Sequence, residues 1–200
     1  MISPFPYFGG KSKIAPVIWQ ALGDTPIYCE PFLGSAAVLL ARPDKHEWWD
    51  RVENVNDKDG FVSNFWRAVA ADPDAVAHHA DWPVNENDLH ARHWWLVNQK
   101  ESMTNRLEGD PDFYDAKVAG WWVWGMATWI GAGFCSARGP WRSVDGELVR
   151  AGAGGRRQRP HLAGAGRGQC DEWSEHLRGL MGALSDRLRR VRVCSGDWSR

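Results

Sequence analysis

No apolar run in the 200 residues is long enough to read as a membrane span, and Met1-Ile-Ser-Pro-Phe carries no basic stretch that would open a secretory leader. The chain is therefore expected in the cytoplasm, away from membranes. Cysteine is scarce and unpatterned. Cys29, Cys135, Cys170 and Cys194 show no Cys-x-x-Cys spacing, which argues against a zinc site or a disulfide framework. His90-x-x-His93 has the spacing of a metal pair, but on a helix it reads as a solvated face, and no metal is expected. Net charge is also lacking. The formal value of −1 does not mark the whole molecule as a polyanion binder, so any such role must come from local clustering. Gly9-Gly10-Lys11-Ser12 lacks the first glycine of a phosphate-binding Gly-x4-Gly-Lys-Ser/Thr loop. What the chain has in quantity is tryptophan, fourteen residues of it, beside plentiful Ala, Gly and Arg. Its length suffices for one domain with a real core, or one domain carrying an insertion.

The stretch Tyr28-Cys29-Glu30-Pro31-Phe32-Leu33-Gly34-Ser35-Ala36 reads as a strand end, a tight acidic turn and a helix starting near Gly34. A strand that stops at a Gly-bearing turn and opens a helix is how α/β folds build nucleotide sites, although it is equally a plain βα loop. Upstream, Pro4 and Pro6 stop regular structure, Gly9-Gly10 lets backbone approach a ligand, and Lys11 supplies a cation; a surface turn is the alternative. Ile14 to Leu22 reads as a short helix with Ile14, Val17, Ile18 and Leu22 on its apolar side and Pro16 in its first turn. Residues 52–57 read as a second strand ending at Asn56-Asp57. Asp59 then caps a helix that buries Phe61, Phe65, Trp66 and Val69 and stops at Asp72-Pro73.

Three segments in order, Pro6-Tyr7-Phe8-Gly9-Gly10-Lys11, Glu30-Pro31-Phe32-Leu33-Gly34 and Asn56-Asp57, resemble the D12 class (Dam-like) DNA adenine-N6 methyltransferases. The resemblance implies an α/β chain with part of a Rossmann-like methyltransferase fold and a mostly helical inserted target-recognition domain. It implies S-adenosylmethionine as cofactor and double-stranded DNA as partner, with a monomer on DNA as the default. By the same resemblance, Tyr7 stacks near the cofactor, Gly9 and Gly10 shape its loop, and Lys11 meets the methionine carboxylate. Glu30, Pro31, Phe32 and Gly34 form the first motif beside it. Asp57 is placed to accept hydrogen bonds from the ribose hydroxyls, and Asp197 faces the adenine edge. The family usually carries Gly where this chain has Ala36.

From about residue 73 to 170 the α/β rhythm gives way to helical patterns. One runs near 87–101, with Leu89, His93, Leu96 and Val97 on one side. Another starts at Asp110-Pro111 and passes Phe113, Val118, Trp121, Trp122 and Trp124. The tryptophans at 121–129 are expected in a core rather than as base-stacking rings. Arg138, Arg142, Arg150, Arg156, Arg157, Arg159 and Arg167 then face only Asp145 and Glu147, a local balance of +5. Glycines interleave them, and Asp145-Gly146 marks a hairpin turn. In a chain already pointing to DNA, this stretch is read as its binding loop ahead of a solvated one.

Residues 171–190 read as an amphipathic helix with Trp173, Leu177, Leu180, Met181, Leu184 and Leu188 in one stripe. Val191 to Cys194 is a strand returning the chain to the sheet, followed by Ser195-Gly196-Asp197-Trp198. The expected division is 1–72 as the cofactor-binding part, 73–170 as the helical DNA-binding insertion, and 171–200 as the return to the methyltransferase domain. The family holds adenine N6 with an Asp-Pro-Pro-Tyr loop. No such motif is present, since Asp72-Pro73 and Asp110-Pro111 are each followed by Asp. The catalytic motif is expected beyond Arg200, and the 200 residues alone are expected to be poorly stable and inactive. The leading function is S-adenosylmethionine-dependent adenine-N6 methylation of DNA. An inactive DNA-binding remnant is the second reading, and a nucleotide-binding protein using Gly9-Gly10-Lys11 the third.

Overall fold

In the computed structural model the structure describes residues 1, 3–5, 7, 9–23, 25–43, 51–129, 134–135, 141–144, 147–150 and 171–199, with backbone alone for 141–144, 147–150 and 171–173. Helix α1 (Ala15–Leu22) leads into strand β1 (Ile27–Glu30), a four-residue helix α2 (Ala37–Leu40) and strand β2 (Val52–Asp57). Helices α3 (Gly60–Ala71), α4 (Pro73–Ala80), α5 (Glu86–Gly109) and α6 (Ala116–Thr128) follow. A hairpin of β3 (Trp141–Val144) and β4 (Glu147–Arg150) precedes helix α7 (Asp171–Leu188) and strand β5 (Val191–Ser195). The larger sheet is parallel in the order β1-β2-β5, with Glu30 opposite Val55 and Asp57 opposite Ser195. All three strands thus end on one side, where the loops after them meet.

Helix α3 is the hub. The Asp59 carboxylate accepts the Phe61 N–H at 3.0 Å and starts it. Phe61, Val62, Phe65, Trp66 and Val69 are buried, and so are Ser63, Asn64 and Arg67. A helix buried on every side must have its polar groups paired. Asn64 exchanges hydrogen bonds with the Asp115 N–H and C=O at 2.7 and 2.9 Å. The Arg67 guanidinium donates to the carbonyls of Val193, Leu107 and Asp110. The core runs unbroken from α3 into α4, α6 and α7. Helices α4 and α6 approach closely because position 120 is glycine; a Cβ there would lie 2.4 Å from His79 Cβ. At the opposite end of the sheet, buried Glu53 pairs with Arg42 and Arg187 at 2.8 Å, tying β2 to α7 and to the segment after α2.

Several boundaries differ from the sequence reading. Helix α2 starts at Ala37, not Gly34, because Gly34 and Ala36 both have positive φ, +53° and +54°, and spend three residues on a turn. Ala36 thus holds a left-handed conformation that ordinarily favours glycine. Asp72-Pro73 ends α3 as expected, but the Asp72 carboxylate also caps Ala75 N–H and starts α4 at once. Asp110 closes α5 rather than opening α6, whose cap is Asp115. Helix α5 is longer than the predicted 87–101 and leaves Val97 exposed while burying Arg92. Helix α1 buries Ala15 and Trp19, so the predicted stripe faces solvent at Ile14, Val17 and Leu22. Trp19 wins the interior because its ring is larger and its indole N–H reaches Val38 O at 2.7 Å.

Other expectations stand. Strand β2 matches 52–57, Trp122 and Trp124 are buried, and the hairpin pairs Val144 with Glu147 around Asp145-Gly146. Helix α7 buries Leu177, Met181, Leu184 and Leu188, and β5 rejoins the sheet. Among the described residues, no helix is long and apolar enough to cross a membrane.

Candidate functional site

The site lies where β1, β2 and β5 end. The N-terminal segment reaches it because Phe5 is buried edge-on against Phe65 and Trp122, at 5.3 and 4.8 Å between ring centres. The chain then turns back on itself. Gly10 N–H donates to Tyr7 O at 3.0 Å, with Gly9 at φ +74° in the third position of the turn, the geometry that asks for glycine. This turn delivers Lys11 to the end of β1. Its ammonium donates to Phe32 O and pairs with Glu30 Oε1 at 3.0 Å.

Glu30 is 5% exposed. Burial pushes its carboxyl above the ordinary range, opposed by Lys11 and by the Tyr28 hydroxyl, which donates to Oε2 at 2.8 Å. Oε1 is buried and faces the Lys11 ammonium. Burial likewise raises the Tyr28 and Tyr7 phenols, reinforced by Glu30 at the first and by Asp57 and Asp59 at the second.

The Tyr7 ring lies on Gly34, where a Cβ would come within 2.8 Å of it. Gly34 N–H donates to Asp57 Oδ2 at 2.7 Å, and Asp59 N–H to Oδ1 at 2.9 Å. Asp57 therefore already holds two backbone donors, one per oxygen. Burial raises its carboxyl, and those N–H groups pull the other way. Beside it, the Asn56 amide donates to Pro31 O at 3.3 Å and Gly196 O at 3.0 Å, and Leu33 N–H donates to Asn56 O at 2.9 Å. One residue thereby laces the loops after β1 and β5 to β2. Sequence reasoning named Asn56 only as part of a motif, because its two partners lie 25 and 140 positions away.

Asp197 sits on the loop after β5. Lys58 at 2.8 Å and the Ser199 hydroxyl at 2.7 Å hold its carboxyl well below the ordinary range. At the rim, Phe32 and Trp198 are 58% and 62% exposed, with rings edge-to-face at 5.6 Å. Two exposed aromatic rings beside these polar groups offer a face on which a planar base can lie.

Tyr7, Gly9, Gly10, Lys11, Glu30, Pro31, Phe32, Gly34, Asp57 and Asp197 are therefore brought to one end of the sheet. Arg142 and Arg150 lie on β3 and β4, without described side chains, and Arg138, Arg156, Arg157, Arg159 and Arg167 lie outside the described residues. His90 and His93 flank Trp129, with His93 accepting the Cys135 N–H at 3.2 Å. The described residues contain no group of three or more potential metal ligands.

No curated protein matches the chain. The turn at Tyr7, strand β1, the Gly34 loop, strand β2 and helix α3 all fall within residues 7–104, which match the family model of D12 class N6 adenine-specific DNA methyltransferase.

Proposed function

We propose that this chain binds S-adenosylmethionine at the ends of β1, β2 and β5, in a partial Rossmann-like fold, and serves the methylation of adenine N6 in double-stranded DNA. The observation that carries this reading is the Lys11–Glu30 pair at the Gly34 turn, a cation and a buried carboxylate side by side. An amino-acid moiety needs those two charges. Lys11 would take the methionine carboxylate, and Glu30 Oε1, which faces Lys11, would accept the ammonium. Gly10 and Gly34 leave room where a side chain would strike Tyr7. Asp57 has lone pairs left for ribose hydroxyls, while Phe32, Trp198 and Asp197 offer a face and an edge to the adenine. When bound, the cofactor supplies an electrophilic methyl group on its sulfonium. The hairpin arginines Arg142 and Arg150, with Arg138, Arg156, Arg157 and Arg159, are proposed to meet DNA phosphates and base edges. The helices α4 to α6 are proposed to serve with that hairpin as a recognition domain.

Holding N6 in line with the methyl donor takes a base flipped from the duplex and a loop that accepts its amine hydrogens. The sequence contains no Asp-Pro-Pro-Tyr, so the 200 residues alone are expected to show no methyl transfer to DNA in a radiolabel assay. The deciding experiment is calorimetric titration with S-adenosylmethionine and, separately, with ATP. The reading requires binding of the first alone and at least about ten-fold weaker binding by Lys11→Ala, the loss of one charge-assisted contact. Binding of ATP in its place, or of neither, refutes it.

A further inference from the structure

The structure assigns Tyr28 as the residue that positions Glu30, by binding one carboxylate oxygen so that the other faces Lys11 and an incoming ammonium. This rests on the cofactor reading above. Strand geometry places residues two apart on the same face, and β1 follows that pattern, with Tyr28 and Glu30 buried and Ile27 and Cys29 exposed. The Tyr28 hydroxyl therefore runs along the strand to Glu30 Oε2, at 2.8 Å.

The ring itself is held from behind. It lies 4.8 Å from the Trp19 ring at a tilt of 42°, and Trp19 is in turn anchored to Val38 O. A phenylalanine would fill this space equally well, so packing does not account for the hydroxyl. A buried hydroxyl is costly unless it finds an acceptor, and here its acceptor is the one carboxylate of the site. With Oε2 engaged, the carboxylate cannot rotate freely. Oε1 is left toward Lys11 at 3.0 Å, buried. That oxygen is the acceptor the structure keeps for a ligand.

The test is a double-mutant cycle on S-adenosylmethionine affinity, read by calorimetry on the full chain. Tyr28→Phe alone is expected to weaken binding about ten-fold, in line with one hydrogen bond to a charged group. In a Glu30→Gln background the same change should shift affinity less than about two-fold, because the oriented charge is already gone. If Glu30→Gln binds too weakly to titrate, Glu30→Asp takes its place. Its shorter side chain draws the carboxylate away from the hydroxyl, and the same loss of coupling is expected. Wild-type affinity in Tyr28→Phe overturns the assignment, and so does an equal loss in both backgrounds, which would mark a purely structural effect. Absence of binding by the wild-type chain overturns the cofactor reading and this inference with it. Wild-type binding with an uncoupled Tyr28 overturns this inference alone.

Discussion

Replacing Asp57 by asparagine should loosen the junction on which the site is built. The wild-type carboxylate accepts Gly34 N–H on one oxygen and Asp59 N–H on the other. Asparagine keeps one acceptor and presents an amide donor in place of the second, so one backbone N–H meets another donor whichever way the amide is turned. A hydrogen bond to a charged group contributes about 1.5–3 kcal/mol, and leaving its buried partner unpaired removes all of it. Part is returned, because burial already disfavours the ionised carboxylate and the neutral amide escapes that cost. The net loss should be about 2 kcal/mol. With a urea slope of roughly 2 kcal/mol per molar, the unfolding midpoint should fall by about 1 M. The assay is equilibrium urea unfolding of the ligand-free chain at pH 7, followed by far-UV circular dichroism. An unchanged midpoint at unchanged slope would refute the idea that Asp57 holds the two loops together.

Glu53→Gln should destabilise by about 3 kcal/mol, since it takes the carboxylate from the Arg42 and Arg187 guanidiniums. Burial alone would raise Glu53, but hydrogen bonds and charge from Arg187 and Arg42 hold it below its ordinary value. Its contribution is thus complete above about pH 4.3 and lost as pH falls through the depressed value, so the gap between wild type and Glu53→Gln in a pH series of melts should close in acid. Gly125→Ala would put a Cβ 2.0 Å from the Phe134 ring, and an overpacking cost of about 1–3 kcal/mol should appear in denaturant unfolding. Val17→Ser should change stability by less than about 0.5 kcal/mol, whereas Trp19→Ala should cost about 3–5 kcal/mol, the reverse of what a helical wheel of α1 suggests. Thermal melts of the two variants check this.

The elements best read in advance were those with a local cause. Strand β2, the Asp59 cap, the Asp145-Gly146 hairpin and the Leu177–Leu188 stripe each follow from a period of two or 3.6, or from one side chain meeting a backbone group a few positions away. The misread boundaries involve competition between local signals. Asp110-Pro111 and Asp115 both look like helix starts, and Asp115 prevails because Asn64 of α3 grips its backbone. In α1, the periodic residues Ile14, Val17 and Leu22 lost the interior to Trp19, whose partner Val38 comes from another helix.

The sequence by itself determined the order of the motifs, the placing of Glu30 and Asp57 at strand ends, and a helix α3 apolar enough to need covering. Tertiary structure alone decided what those groups do to each other. That Lys11 pairs with Glu30, that Gly34 engages Asp57, and that Asn56 ties the loops after β1 and β5 to β2 all depend on how segments well separated in sequence approach. Periodicity and capping report interactions within one element. A side-chain hydrogen bond between elements depends on ångström-scale placement that only the packed core of α3, α6 and the parallel sheet provides.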